Sequence, residues 1–363
     1  MDYTKTLKYH YRPKKGWMND PNGLVYFKGY YHAFYQHAPN HEIPWQEPMH
    51  WGHARTKDFL EWEELPIALT PDTPYDKSGC WSGTAIVKDD KLYLFYAGIT
   101  AESVIAVAVS EDGVNFEKYG GNPVISTFPP EGGPDFRDPA VCCIDGIYYC
   151  VVASGHPQTK TARLLLYRSE DLLNWEFQSV LGEWEAAKYA ECPSIVPLGG
   201  KKCLLATSVC NLDETHFFQI MIGTFENGKF DCEASDRFDK GPDQYAGQAF
   251  ASADGEPLLM TWIPGWSYSG FVKGKDVGCL SIPREIAIEN GHICGRPAKS
   301  VAHLLKSEDE AVKITADGFV VERELRPNLV HTGKVNDLKI LRDEYILEIF
   351  VNGGETVYSL LLC

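Results

Sequence analysis

Apolar and polar positions follow one phrase that returns five times along this chain: a short polar or Pro/Gly-containing start, an apolar run, a turn, and a second apolar run. It reads Asn19-Asp20-Pro21-Asn22-Gly23-Leu24-Val25-Tyr26 with a return over Tyr30 to Gln36, then Trp81-Ser82-Gly83-Thr84-Ala85-Ile86-Val87 with a return over Lys91 to Gly98. It continues as Arg137-Asp138-Pro139-Ala140-Val141 returning over Ile147 to Ser154, and as Glu191-Cys192-Pro193-Ser194-Ile195-Val196 returning over Lys202 to Ser208. The last copy is Ala246-Gly247-Gln248-Ala249-Phe250 with its return over Leu258 to Trp262. Each unit predicts a β-hairpin, and hairpins repeating at about 55 to 60 residues predict a radial, bladed β architecture.

A second phrase follows the first three hairpins: Thr56-Lys57-Asp58-Phe59-Leu60-Glu61-Trp62-Glu63, Ser110-Glu111-Asp112-Gly113-Val114-Asn115-Phe116-Glu117 and Ser169-Glu170-Asp171-Leu172-Leu173-Asn174-Trp175-Glu176. Weaker copies lie at Phe225 to Phe230 and Ile288 to Ile293. Two hairpins per repeat make four strands, one propeller blade. Runs such as Leu92-Tyr93-Leu94-Phe95-Tyr96 are apolar without alternation, as expected where blades cover both faces of a strand, and the recurring Trp62, Phe116 and Trp175 read as blade core. The pattern predicts an all-β fold: a five-bladed propeller over residues 1–297, then a small, truncated β-sandwich or sheet fragment over 298–363. In that tail Phe319-Val320-Val321, Leu338-Lys339-Ile340 and Tyr345 to Val351 are strand-like, and Asn352-Gly353-Gly354 reads as a hairpin turn.

Composition narrows the function. The net charge of −16 over 363 residues argues against a nucleic-acid partner, which needs clustered Lys and Arg, and fits a small neutral substrate. No stretch is long and apolar enough for a membrane span, and Met1 to Lys5 does not open a secretory signal. Eleven cysteines, mostly inside expected strands such as Cys150, Cys203 and Cys210, suggest a reducing, cytoplasmic compartment. His50-Trp51-Gly52-His53 has a metal-like spacing but no further ligand set beside it, so neither a metal nor another cofactor is expected.

Three repeats open on an acid: Asp20, Asp138 and Glu191. Singly each has a plain explanation: Asp20-Pro21-Asn22-Gly23 suits a type I turn, Arg137-Asp138 an ion pair, Glu191 a rim charge. Together they share a register that solvation does not explain, and blades around one axis would bring them to one mouth. Retaining glycoside hydrolysis needs two carboxyls about 5 to 5.5 Å apart, one a nucleophile and one an acid. Neighbouring carboxyls push each other's pKa values apart, so one cluster can hold both protonation states, with a third acid to hold sugar hydroxyls. Gln36 and Trp262, at the ends of return strands, would lie at the same mouth, and amide and aromatic groups suit a sugar.

Six ordered blocks, Trp17 to Gly23, Phe34-Tyr35-Gln36, Met49 to Ala54, Trp81-Ser82-Gly83, Phe136-Arg137-Asp138-Pro139 and Glu191-Cys192-Pro193, resemble glycoside hydrolase family 32, the β-fructofuranosidases. Leu347 to Gly354 is similar to the end of that family's sandwich. The resemblance implies Asp20 as nucleophile on the fructosyl anomeric carbon, Glu191 as general acid then base, and Asp138 as transition-state stabiliser. It implies Asn19, Gln36, Ser82 and Arg137 as furanose-binding groups, and Trp45, Trp81, Tyr245 and Trp262 as aromatic walls. Cys192 has no basic neighbour in sequence and reads as a packing or hydroxyl-contact residue. Two departures stand out. The tail is shorter than the family's sandwich, so strands should be missing, and Tyr189-Ala190-Glu191-Cys192-Pro193-Ser194 replaces the more frequent Trp before Glu and Asp after Pro.

The expected activity is release of terminal β-D-fructofuranosyl units from sucrose, sucrose 6-phosphate or short fructo-oligosaccharides through a covalent fructosyl-enzyme. A fructosyltransferase using the same intermediate is the nearest competitor. An arabinan- or xylan-cleaving propeller and a non-catalytic sugar-binding propeller stand further off.

Overall fold

The computed structural model describes residues 6–266, 278–289 and 291–362. The opening pentapeptide, Asn290 in the weak fifth copy of the second phrase, and the eleventh cysteine, Cys363, lie outside the described residues. Blade 1 is built from β1 (Trp17–Phe27), β2 (Tyr30–Ala38), β3 (His50–Thr56) and β4 (Trp62–Leu69), and blade 2 from β5 (Gly79–Lys88), β6 (Lys91–Ile99), β7 (Ser103–Ser110) and β8 (Glu117–Lys118). Blade 3 holds β9 (Phe136–Ile144), β10 (Ile147–His156), β11 (Thr161–Ser169) and β12 (Glu176–Glu185), and blade 4 holds β13 (Ala187–Gly199), β14 (Lys202–Asn211), β15 (His216–Glu226) and β16 (Lys229–Arg237). Blade 5 contains β17 (Tyr245–Ala251), β18 (Pro257–Ile263), β19 (Cys279–Leu280), β20 (Arg284–Glu289) and β21 (His292–Pro297), with β19 pairing β18 beside the main path. The first strands β1, β5, β9, β13 and β17 pack one against the next, and β17 packs against β1, which closes a five-bladed propeller.

Burial follows position in the blade. Strand β18 is buried throughout, β14 all but its two end residues and β10 over residues 150–155, because neighbouring blades cover both faces, whereas the outermost strands β4, β12 and β16 are mostly exposed or half-buried. The second phrase is turn chemistry between third and fourth strands. Asp58, Asp112 and Asp171 each accept the backbone N–H groups two and three residues ahead, at 2.8–3.2 Å. The hydroxyls of Thr56, Ser110 and Ser169 cap the same turns. Trp62, Phe116 and Trp175 pack half-buried against the blade cores.

Buried polar side chains stitch the blades together. Thr84 Oγ1 donates to Pro139 O (2.9 Å) and accepts from Val141 N–H (3.0 Å), and Ser194 Oγ accepts from Ala249 N–H (2.9 Å). Gln248 joins the last blade to the first two: its Oε1 accepts from Leu24 N–H (2.8 Å) and its Nε2 donates to Gly83 O (3.1 Å). The matching residue of blade 3 is Ala140, which has no such group. That seam is bridged instead by Cys192 N–H donating to Asp138 Oδ2 at 2.8 Å.

The tail forms two three-stranded sheets, β22 (Val312–Thr315), β23 (Gly318–Val321) and β24 (Leu329–Thr332), then β25 (Leu338–Asp343), β26 (Ile346–Val351) and β27 (Thr356–Leu361), with Asn352 to Gly354 turning between the last two. Phe319 and Val321 pack against Ile340, Ile349 and Tyr358, so the sheets form a six-stranded sandwich. The opposite face of the second sheet packs Leu341, Phe350 and Val357 into the propeller core. Strand alternation puts Glu348 and its partner Ser359 on that face. Both meet the fully buried Arg284, which also pairs with Asp239 (2.8 Å). His10 bridges Asp343 (2.9 Å) and Glu348 (2.8 Å), tying the segment before β1 to the tail. No helix among the described residues is long and apolar enough to cross a membrane.

Candidate active site

All five inner strands break register at the same point. The ladder shifts between Met18 and Pro21, Trp81 and Gly83, Arg137 and Ala140, Glu191 and Ser194, and Tyr245 and Gln248. Such bulges re-aim side chains, and here they do so around one axis. Asp138 (φ 57°), Cys192 (φ 47°) and Ala246 (φ 52°) take the left-handed conformation inside them. The next residue is Pro21, Pro139 or Pro193 in three blades, which brings no N–H to leave unpaired where the ladder stops. In blade 2 it is Gly83, where a Cβ would come within 1.9 Å of Phe95 O.

This alignment corrects the expectation that the three acids share one register. The bulge residues are Asp20, Ser82, Asp138, Cys192 and Ala246, and Glu191 stands one residue earlier, level with Asn19, Trp81, Arg137 and Tyr245. Two rings result. In the first, Ser82 Oγ donates to Asp20 Oδ2 (2.8 Å), and the Cys192 thiol touches both Asp20 Oδ2 (3.4 Å) and Asp138 Oδ2 (3.6 Å). One sulfur therefore sets the two carboxylates within two contact distances of each other. In the second, Arg137 Nη2 donates to Glu191 Oε1 (3.0 Å) and Nη1 to Asp135 Oδ1 (3.0 Å), while Tyr245 Oη donates to Glu191 Oε2. Asn19 links the rings by donating to Asp20 Oδ1 (3.1 Å), and its own carbonyl is fixed by Trp17 Nε1 (2.7 Å).

Electrostatics differ around the rings. Burial, then the charge of Glu191, lifts the Asp20 carboxyl above the ordinary range, and the donors Asn19, Ser82 and Cys192 oppose that rise. Burial pushes Asp138 up to about 7, with Arg137 pulling down and Glu191 and Asp20 adding to the rise. Burial works against the charge of Arg137, but Glu191, Asp138 and Asp135 hold it more firmly protonated than usual. Burial and the adjacent acids keep Cys192 a thiol well above neutral pH, so it serves as a weak donor and not a nucleophile.

Several side chains lie differently from the expectation. Tyr245 is no open aromatic wall: it is buried and fixes Glu191. Trp262 is fully buried against Trp17 (5.8 Å between ring centroids) and Trp266 (4.9 Å), behind the rings. Trp45, 53% exposed, stands on the rim, 5.4 Å from Trp81 and stacked on Trp266 at 6.4 Å. Gln36 is buried and donates to Cys80 O (3.1 Å), crossing from blade 1 to blade 2. Tyr189 stacks on the Arg137 guanidinium at 4.6 Å, with Trp81 on the guanidinium as well at 5.8 Å. The sequence reading missed Asp135, Tyr189 as a stacking partner, and Trp266. His53 pairs with His32 (3.0 Å) and stacks on Phe34, and among the described residues no group of three His, Cys, Asp or Glu side chains is arranged to hold a metal ion.

Residues 10–297 match the Glycosyl hydrolases family 32 N-terminal domain. The chain is 35% identical to the raffinose invertase of Escherichia coli over 82% of its own length and 65% of that protein's, and 35% identical to the sucrose-6-phosphate hydrolase of Escherichia coli over 84% and 66%. It thus spans slightly less than two thirds of those relatives. A solved GH32 β-fructofuranosidase of Bombyx mori, in complex with sucrose, superposes with a TM-score of 0.82 at 30% identity, over 98% of this chain and 88% of that one.

Proposed function

Since the chain belongs to glycoside hydrolase family 32, we propose that it is a retaining β-fructofuranosidase whose catalytic unit is the propeller, residues 1–297, with the sandwich of 298–363 as its support. Its substrates are small sugars with a terminal fructofuranosyl unit: sucrose, sucrose 6-phosphate or short fructo-oligosaccharides. The observation that carries this reading is the offset of Asp20, in a bulge, from Glu191, one residue before the equivalent bulge, with the two carboxyls near enough that the charge of Glu191 raises the pKa of Asp20.

Asp20 Oδ attacks the anomeric carbon of the fructosyl unit while Glu191 passes its proton to the departing glycosidic oxygen. Water then enters, gives its proton back to Glu191 and releases fructose from Asp20. Three donors on Asp20 favour its ionised form for the attack and disperse its charge. Asp138, held by Cys192 N–H, binds fructose hydroxyls, and with a pKa near 7 it both accepts and donates hydrogen bonds at neutral pH. Tyr245 and Arg137 hold Glu191 from two sides, which fixes the line of proton delivery. The free thiols among the described residues agree with a cytoplasmic setting and imported sugars.

The test is incubation with sucrose, sucrose 6-phosphate, kestose, inulin and levan, followed by sugar chromatography and by ¹H NMR of the first-formed anomer. Free β-fructofuranose in equal amount to the leaving sugar is expected. Kestose-type oligomers exceeding free fructose at high sucrose would instead assign a transferase.

A further inference from the structure

Beside the two rings, between blades 2 and 3, opens a groove of about 390 Å³. That volume lies within the ~300–1,000 Å³ typical of small-molecule sites. Trp81 and Arg137 belong both to this groove and to the ring that carries Glu191, so the groove begins where a leaving group would emerge. Its floor and sides come from the β6–β7 turn and from the segment before β9, and they present Glu102, Ser126, Thr127, Phe128 and Asp135. Phe128 is 38% exposed, and its ring lies against that of Phe136, 6.4 Å between centroids. An open phenyl face beside hydroxyls and carboxylates is the chemistry that holds a neutral sugar, C–H surface on the ring and hydroxyls on the acceptors.

The charge of the groove is one-sided. Arg137 is the one cation lining it among the described residues, and its guanidinium is taken up by Glu191 and Asp135 and stacked on Tyr189. The Glu102 carboxylate is exposed, and the salt bridges of the described residues do not include it. A phosphate placed here would meet two carboxylates and no uncommitted cation, an unfavourable juxtaposition.

We propose that this groove is a subsite for sugar units beyond the cleaved bond, and that it makes the enzyme favour neutral trisaccharides over a phosphorylated disaccharide. The proposal rests on the β-fructofuranosidase reading of the rings. It is tested by kcat/KM for fructose release from sucrose, raffinose and sucrose 6-phosphate, using the full chain and its Phe128→Ala and Glu102→Lys variants. The wild type should cleave raffinose at least as well as sucrose, and sucrose 6-phosphate about tenfold less well than sucrose. Phe128→Ala should lower the raffinose-to-sucrose ratio about tenfold through KM, the worth of one lost apolar contact. Glu102→Lys should narrow the sucrose to sucrose 6-phosphate gap at least about threefold, and added salt should erase that gain. A wild type preferring sucrose 6-phosphate, or a raffinose-to-sucrose ratio unmoved in Phe128→Ala while sucrose is still cleaved, overturns the subsite alone. Failure to release fructose from any of the three overturns the underlying enzymatic reading and the subsite with it.

Discussion

Replacing His10 by Gln should remove one pH-dependent contribution to the stability of the fold. His10 is buried between Asp343 and Glu348, at 2.9 and 2.8 Å, with no solvent contact of its side chain. Burial works against its charge, but the two carboxylates outweigh it and raise its pKa to about 9. In the unfolded chain the imidazole titrates near 6.5, so the raised folded value adds stability that is complete below about pH 6.5 and is lost as the pH climbs through about 9. At about 1.4 kcal/mol per pH unit the contribution is roughly 3 kcal/mol. The assay is urea unfolding at pH 6.0, 7.5 and 9.5 for both proteins. Comparison with the variant is needed because unfolded thiols also begin to ionise above about pH 8. The gap between wild type and His10→Gln should be widest at pH 6.0 and shrink by roughly 3 kcal/mol at pH 9.5. A constant gap across the three pH values would show that His10 is neutral in the native protein and refute the reasoning.

Other outcomes follow from the rings and seams. Asp138 has a folded pKa of about 7, raised mainly by burial, so its carboxyl withdraws stability as pH rises from about 4 to 7. Asp138→Asn should therefore abolish turnover yet melt higher than wild type at pH 8, with the difference shrinking at pH 5. Glu191→Gln should slow sucrose cleavage by about 10²–10⁴-fold and an activated aryl fructoside far less, and equal losses on both would count against proton delivery from Glu191. Gln248→Leu removes two buried bonds at the closing seam and should cost about 2–4 kcal/mol in thermal unfolding, whereas a change under about 0.5 kcal/mol would mean the seam does not depend on them.

Much of this architecture is legible before any coordinates. The hairpins at Asn19 to Gln36 and at the four later repeats appear as β1–β2, β5–β6, β9–β10, β13–β14 and β17–β18, because alternation and turn residues are local signals that neighbouring strands reinforce. The sandwich was harder to read. Its strands are only four to six residues long, and the buried Glu348 that locks it to the propeller looks, in sequence, like a polar interruption of an apolar run.

Asp20, Asp138 and Glu191 could be picked out from their places in the repeats, but the difference in their registers could not. A bulge is decided by how one strand pairs with its neighbour, and nothing in the string Tyr189-Ala190-Glu191-Cys192-Pro193 says which residue drops out of the ladder. The roles of Tyr245 and Trp262 also changed, from walls to supports, because burial depends on what other blades bring over them. The sequence by itself determined the repeat, the strand count and the residue types available to the mouth, since these rest on periodicity and composition. Only the tertiary structure decided which side chains face inward, which hold one another, and that Asp138 reaches a pKa near 7, because desolvation and charge coupling exist only once five distant strands share one axis.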